Sequence, residues 1–192
     1  MSTVKTFVFT RPVETDNGDN YIIIKQHEKI LMGVIDGLGH GKKASEASVK
    51  AKKYVENHAH QSLNELIWGC HEAIKNTRGA VMGLARIDTN QRTLNYAGIG
   101  DTEACILNFK HKRPISRPGI VGHNIRKVST YEYNLRKGFA FYIHSDGISR
   151  RFQPENYPLK KDPEKAINLI VKEWGKETDD LTFILAIEEV KS

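Results

Sequence analysis

Hydrophobic residues near the start of the chain form short runs of strand length. Residues 21–25 (YIIIK) and 30–35 (ILMGVI) are two such runs, and the four polar residues between them suit a tight hairpin. The residues ahead of this hairpin are interpreted as a short lead-in without a regular element. This part of the sequence therefore predicts one antiparallel hairpin.

Two amphipathic helices are predicted after the hairpin. The first begins near Lys43, and the second begins at Ser62, where Glu65 three residues later completes a capping-box pattern. Each segment places its apolar residues at helical spacing on one face. These faces carry Ala44, Ala47, Ala51, Tyr54 and Val55 in the first helix and Leu63, Leu66, Ile67, Cys70 and Ile74 in the second.

The remainder of the chain consists mainly of strand-like segments. Residues 80–145 contain several apolar runs separated by turns, and residues 181–187 (LTFILAI) predict a closing strand. Residues 163–174 predict a helix between them, with Asp162 as N-cap and Gly175 after its end. Because strands and helices occur in blocks without strict alternation, the order favours an α+β fold with antiparallel sheets over a Rossmann-type parallel sheet.

Length and cysteine content limit the class of protein. The 192 residues suit a single domain, 1–192. The first residues lack a signal-peptide pattern, and no apolar run approaches the ~20 residues needed to span a bilayer, so we expect a cytoplasmic protein with no membrane contact. Cys70 and Cys105 lack metal-site spacing, and we expect them to be buried structural thiols.

The formal net charge of +6 leaves two kinds of partner open. A basic nucleic-acid-binding domain is one alternative, but the basic residues are scattered apart from residues 110–118 (KHKRPISRP) and the pair Arg150–Arg151. A basic surface equally suits an enzyme that attracts an anionic phosphoprotein. Nucleic acid is therefore the less favoured partner.

Four aspartates adjoin the ends of predicted strands. Asp19 precedes the first strand of the hairpin and Asp36 follows the second, so the two should lie side by side. Asp146 and Asp179 adjoin the strands at 139–145 and 181–187 and converge if those strands pair antiparallel. An aspartate at a strand end is commonly a turn former or helix cap. Clustered carboxylates, however, repel unless a cation lies between them, and Mg²⁺ or Mn²⁺ prefers such oxygen ligands.

Five segments in order resemble the blocks of a known family. They are NGDNY (17–21), VIDGLGHGKKASEAS (34–48), YAGIGDTEACI (96–106), HSDGI (144–148) and DDLTF (179–183). Together they resemble the metal-dependent PPM (phosphatase 2C-like) phosphatases, especially the bacterial SpoIIE/RsbU/RsbX group and its small stand-alone RsbX type. The resemblance implies a layered α/β-β/α sandwich, with two mainly antiparallel sheets flanked by helices and a metal centre at one edge.

The same resemblance implies a set of site residues around two Mn²⁺ or Mg²⁺ ions. Asp36 would bridge both ions, Asp19 and the Gly37 carbonyl would complete one site, and Asp146 and Asp179 the other. The water held by these ions would attack phosphorus. Residues with auxiliary roles would be His40 as a possible proton donor, Asp180 and Asp101 behind the ligands, and Lys110, Lys112, Arg113 and Arg117 in substrate docking.

The sequence departs from the family pattern at three places. Leu38 stands where many members have a histidine, and the usual phosphate-binding arginine has no counterpart closer than Arg11. Arg150 replaces an acid of the third metal site found in some members, and we expect it to pair with Asp101 and exclude a third ion.

The expected function is a metal-dependent phosphoserine/phosphothreonine protein phosphatase. The family resemblance implies substrates among phosphorylated STAS-domain proteins of a bacterial stress-signalling complex, the stressosome. The alternative is a pseudo-phosphatase, a binding module that keeps the fold without turnover.

Overall fold

The computed structural model describes residues 3–108 and 111–190. Within these residues, ten strands and three α-helices follow one another in the order β1 to β3, α1 and α2, β4 to β9, α3 and β10. The strands are β1 Thr3–Arg11, β2 Asp19–Gln26, β3 Lys29–Gly37, β4 Ala80–Asp88, β5 Thr93–Ile99, β6 Glu103–Leu107, β7 His111–Lys112, β8 Tyr131–Asn134, β9 Ala140–His144 and β10 Leu181–Glu189. The helices are α1 Lys42–Asn57, α2 Leu63–Ala73 and α3 Pro163–Trp174.

The strands form two five-stranded antiparallel sheets. Sheet I has the order β1-β10-β9-β6-β7, and sheet II has the order β2-β3-β4-β5-β8. Every pair of neighbouring strands is antiparallel. The predicted α+β class and the predicted hairpin of β2 and β3 are confirmed.

Three apolar layers hold the sandwich together. One lies between α1, α2 and sheet II, a second lies between the two sheets, and a third lies between sheet I and α3. Met32 and Phe141 are fully buried between the sheets, one on each sheet. This arrangement is the predicted α/β-β/α sandwich, because burying both faces of each sheet requires helices on the outside.

The helix-start signals act as the sequence predicts. Ser62 Oγ accepts a hydrogen bond from Glu65 N at 3.3 Å, and Ser62 N donates to Glu65 Oε2 at 2.8 Å, which completes the capping box of α2. Asp162 caps α3 by accepting from Lys165 N at 3.3 Å. These caps satisfy backbone donors that a helix leaves unpaired at its first turn.

The interpretation of the first residues as an irregular lead-in is wrong. Residues 3–11 form β1, which pairs along its whole length with β10, from Thr3 opposite Glu189 to Arg11 opposite Leu181. The run Phe7–Phe9 interrupts a clean apolar–polar alternation, and β1 is an edge strand with one neighbour. Pairing with β10 therefore determines the element more than its own pattern does.

Two smaller features concern the cysteines and the helices. Cys70 and Cys105 are free thiols and both are buried, as predicted. Across the described ranges, we find no helix with the length and apolarity required to cross a bilayer.

Candidate metal centre

The hairpin of β2 and β3 brings two of the predicted carboxylates face to face. Asp19 is the first residue of β2 and is paired directly with Asp36 on β3. Directly opposed residues on antiparallel strands have Cβ atoms about 4.5–5.5 Å apart. The sequence prediction that these two aspartates are neighbours is therefore confirmed. Like charges at that separation repel, so the pair requires a compensating positive group.

The ends of β9 and β10 bring the second pair together. These strands pair antiparallel, with His144 opposite Phe183, so the turn after β9 lies beside the segment before β10. Lys176 Nζ lies 3.3 Å from Asp146 Oδ2 and 3.4 Å from Asp179 Oδ2. The predicted convergence of these two carboxylates is therefore also confirmed.

The two pairs belong to one cluster that spans both sheets. Burial raises the pKa of Asp36 well above its ordinary value of 3.8, and the nearby charges of Asp19, Asp146 and Asp179 raise it further. Burial, followed by the charge of Asp146, also raises the pKa of Asp179. Sheet II thus supplies Asp19 and Asp36, and the strand ends of sheet I supply Asp146 and Asp179, at one edge of the sandwich.

Asp19 provides the strongest test of whether a cation fits here. Its side chain is 3% exposed, and neither carboxylate oxygen accepts a hydrogen bond from any residue in the described ranges. Burial is the main cause that raises the pKa of Asp19 to about 7, with neighbouring aspartates adding to it. The nearby Ser145 and Thr182 hydroxyls oppose this rise. A buried carboxylate whose two oxygens accept no hydrogen bond from the described residues fits a hard divalent cation.

Asp180 supports this cluster from behind. Its Oδ1 accepts from Val13 N at 2.8 Å and its Oδ2 accepts from Gly18 N at 2.9 Å. Both oxygens are therefore occupied by backbone donors, and the side chain fixes the loop that leads into Asp19. That Asp180 stands behind metal ligands stays a prediction.

Gly37 allows α1 to approach the cluster closely. A Cβ on Gly37 would collide with the backbone of Ala44 in the first turn of α1. The Gly37 amide donates to Gly18 O at 3.1 Å, which joins the ends of β2 and β3. The Gly37 carbonyl therefore belongs to a backbone segment with little freedom to move.

The side chains are not arranged as a closed ligand set. Within residues 3–108 and 111–190, no three acidic, histidine or cysteine side chains converge closely enough to hold one ion as they stand. Instead the Lys176 ammonium lies between two of the four carboxylates. The cluster has the donor chemistry of a metal centre, with a protein cation occupying part of it.

Comparison with known proteins identifies the family. A family model described as Stage II sporulation protein E (SpoIIE) matches residues 26–186. The chain belongs to the SpoIIE family. This membership confirms the predicted resemblance and the predicted class of enzyme, a phosphatase of the phosphatase 2C type.

Relatives of this SpoIIE-family chain are similar along most of its length. Phosphoserine phosphatase RsbX of Bacillus subtilis (strain 168) is 28% identical over 170 residues, covering 88% of this chain and 85% of RsbX. The crystal structure of RsbX in complex with magnesium has a TM-score of 0.86 and 28% identity, covering 98% of this chain and 100% of that chain. The magnesium in RsbX agrees with the predicted kind of cofactor.

A second solved structure matches equally well. It is described as "The bacterial stressosome: a modular system that has been adapted to control secondary messenger signaling". The matching chain has a TM-score of 0.90 and 29% identity, covering 96% of this chain and 99% of that chain. Both structures confirm the predicted fold of the SpoIIE-family domain.

The exposed turn between β3 and α1 carries His40, and Arg78 packs against the same turn. His40, the possible proton donor, is exposed, and its Nδ1 lies 2.6 Å from Glu14 Oε1. Arg78 lies against Gly39, because a Cβ on Gly39 would come within 2.9 Å of Arg78 Nη1. No pattern in the sequence singles out Arg78, which reaches the turn because Gly79 O accepts from Leu38 N at 3.0 Å.

The expectation that Arg150 pairs with Asp101 is wrong, because Arg150 pairs with a different acid. Arg150 Nε lies 3.5 Å from Glu103 Oε1, at the start of β6. Asp101 is exposed and contributes to the raised pKa of Asp36, as the last of five causes. Glu103 pairs with His144 across β6 and β9, which places it beside the turn that carries Asp146. That at most two ions bind stays a prediction.

The predicted docking residues differ in how they are held. Lys110 lies outside the described residues. Lys112 and Arg113 are exposed, with Lys112 opposite Ile106 on β6. Arg117 is built into the fold: its Nε donates to Ser129 Oγ at 3.1 Å, its amide donates to Gly98 O at 2.8 Å, and its carbonyl accepts from Gly100 N at 2.9 Å.

Lys176 is, with Arg78, a residue near the SpoIIE-family site that sequence reasoning missed. Its one local signal is its position three residues before Asp179. Contact with Asp146 depends on the tertiary placement of the C-terminal end of α3, which no local pattern indicates.

Proposed function

We propose that this protein is a Mn²⁺- or Mg²⁺-dependent phosphoserine/phosphothreonine protein phosphatase of the cytoplasm. The observation that carries the proposal is the cluster of Asp19, Asp36, Asp146 and Asp179, in which two sheets contribute carboxylates and one carboxylate is buried without a donor. Buried free thiols suit a reducing compartment.

Four aspartates and one backbone carbonyl would coordinate the two ions. Asp36 would contact both ions, Asp19 and the Gly37 carbonyl would serve one, and Asp146 and Asp179 would serve the other. When bound, the two ions supply activation of water near neutral pH and neutralise charge that develops on the phosphoryl group. Asp180 keeps the loop before Asp19 in place through its two backbone hydrogen bonds.

Two further side chains would face the phosphoryl group. The guanidinium of Arg78, beside Gly39, could contact phosphate oxygens and supply the cation that is missing at the usual family position. His40 would be an auxiliary proton donor to the leaving group, oriented by its Nδ1 contact with Glu14.

The proposed substrates are phosphorylated STAS-domain proteins of a stressosome. The support is the similarity to a relative described as phosphoserine phosphatase RsbX and to a chain from a bacterial stressosome structure. Dephosphorylation by this protein would reset the signal that phosphorylation of those partners carries.

A metal-dependent hydrolysis assay tests the enzyme proposal. We expect release of p-nitrophenol from p-nitrophenyl phosphate in Mn²⁺, none in EDTA, and recovery when Mn²⁺ is restored. Phosphoserine on a STAS-domain protein should be removed under the same conditions. Binding of that phosphoprotein without turnover in Mn²⁺ or Mg²⁺ would instead support the pseudo-phosphatase alternative. Salt-sensitive retention on duplex DNA without hydrolysis would support the nucleic-acid alternative.

The exposed part of the basic segment is proposed to dock the phosphoprotein. Lys112 pairs with Ile106, three residues along β6 from the Glu103 end that adjoins the site, and Arg113 follows it directly. At about 3.3 Å per residue, Lys112 is about 10 Å along the strand from that end. Their charges can therefore attract an acidic partner without touching the reacting phosphate.

The double variant Lys112→Gln/Arg113→Gln should raise KM for the phosphoprotein about three- to tenfold while leaving kcat and hydrolysis of p-nitrophenyl phosphate unchanged. Arg117 is left intact because its contacts are structural. Lys165→Gln/Lys172→Gln on α3 removes the same charge from exposed positions and should change neither constant. If the Lys112→Gln/Arg113→Gln variant loses activity equally toward the phosphoprotein and p-nitrophenyl phosphate, the segment belongs to the catalytic centre.

A further inference from the structure

Lys176 occupies a position that a bound cation would share. Its Nζ lies 3.3 Å from Asp146 Oδ2 and 3.4 Å from Asp179 Oδ2, so one ammonium neutralises two carboxylates. Its side chain is 43% exposed, and it reaches the pair from the solvent side. Burial lowers the pKa of Lys176, but the two aspartates raise it more, so the ammonium stays charged.

The backbone of Lys176 is tied to the turn that carries Asp146. Lys176 N donates to Gly147 O at 2.8 Å, and Lys176 O accepts from Arg11 Nη2 at 2.6 Å. Ser149 N donates to Trp174 O at 3.0 Å and adds a further link. The attachment point is therefore fixed, while the flexible four-carbon stem lets the ammonium leave the carboxylates.

We propose that Lys176 is a built-in competitor of the metal ion, which neutralises Asp146 and Asp179 in the metal-free protein and is displaced when the ion binds. This inference rests on the proposed function, because it takes the Asp146 and Asp179 pair to be metal ligands. Two cations cannot share these oxygens without strong repulsion. Ion binding therefore breaks both contacts of Lys176, and the metal-free protein is protected from the repulsion of its own carboxylates.

The experiment titrates the whole protein with Mn²⁺ alone, by isothermal calorimetry and by melting temperature. For Lys176→Met, which keeps an apolar stem and removes the charge, we expect roughly three- to tenfold tighter Mn²⁺ binding. In EDTA, the same variant should melt roughly 1–4 °C below the wild type. In saturating Mn²⁺ the two proteins should melt together, because the displaced ammonium no longer contributes.

Two further variants make the result specific. Lys176→Arg keeps the charge and should bind Mn²⁺ within about twofold of the wild type. Lys172→Met, an exposed lysine one turn earlier, should match the wild type in both measurements. Unchanged or weaker Mn²⁺ binding by Lys176→Met, or equal tightening by Lys176→Arg, overturns the inference alone. Absence of Mn²⁺ binding in the wild type and in Lys176→Met overturns the proposed metal centre as well.

Discussion

Replacing Asp36 by asparagine should abolish phosphatase activity and at the same time stabilise the metal-free protein. Asp36 is the carboxylate expected to contact both ions, so its loss should lower kcat/KM more than about a hundredfold, which corresponds to about 2.7 kcal/mol of transition-state stabilisation. In EDTA, relief of repulsion from Asp19, Asp146 and Asp179 should raise the melting temperature by roughly 2–4 °C, about 1 kcal/mol.

Hydrolysis rate and melting temperature measured on the same preparations check this pair of effects. Glu28→Gln is the control, because it removes a carboxylate from the exposed turn at the opposite end of the same hairpin. The control should leave both quantities close to those of the wild type. If Asp36→Asn keeps more than roughly a tenth of the activity, Asp36 does not bridge the ions.

Gly147→Ala should separate the two carboxylates supplied by sheet I. A Cβ on Gly147 would collide with the carbonyl oxygen of Asp180, which follows Asp179 directly, so the turn and the start of β10 must move apart. We expect a loss of about 1–3 kcal/mol in the free energy of unfolding. We also expect at least tenfold lower activity at limiting Mn²⁺, because a displacement of about 1 Å can cost that much.

Gly138→Ala separates this effect from the general cost of replacing a glycine. Gly138 precedes the other end of β9, has φ of 73°, and offers a new Cβ only a contact with Val190 at 3.2 Å. It should lower stability by about 1 kcal/mol through backbone strain and leave the Mn²⁺ dependence unchanged. If Gly147→Ala and Gly138→Ala show the same Mn²⁺ dependence, the Cβ collision with Asp180 does not explain the loss of activity.

The sequence alone predicts those parts of the site that are formed by elements adjacent along the chain. The facing positions of Asp19 and Asp36 follow from one hairpin, whose strands and turn are all local signals. The capping box at Ser62 likewise predicts where α2 begins. The aspartates beside β9 and β10 could be paired only on the assumption that those distant strands are neighbours, which the structure bears out.

The remaining features depend on contacts between distant segments. β1 is determined by pairing with β10, about 180 residues later, and its own pattern is broken by Phe7–Phe9. The partner of Arg150 depends on which acid near the start of β6 lies beside the turn after β9, and the structure selects Glu103 over Asp101. Lys176 reaches Asp146 only because α3 ends against that turn.

The division of the four carboxylates between two sheets would also couple ion binding to the stability of the fold. An ion held at this edge would link the two sheets directly, and each strand in the described residues belongs to one sheet alone. A ligand at a hundred times its Kd adds about 2.7 kcal/mol to the free energy of unfolding. Divalent-ion supply would then govern resistance to proteolysis as well as turnover, so starvation for the ion would remove the enzyme and its activity together.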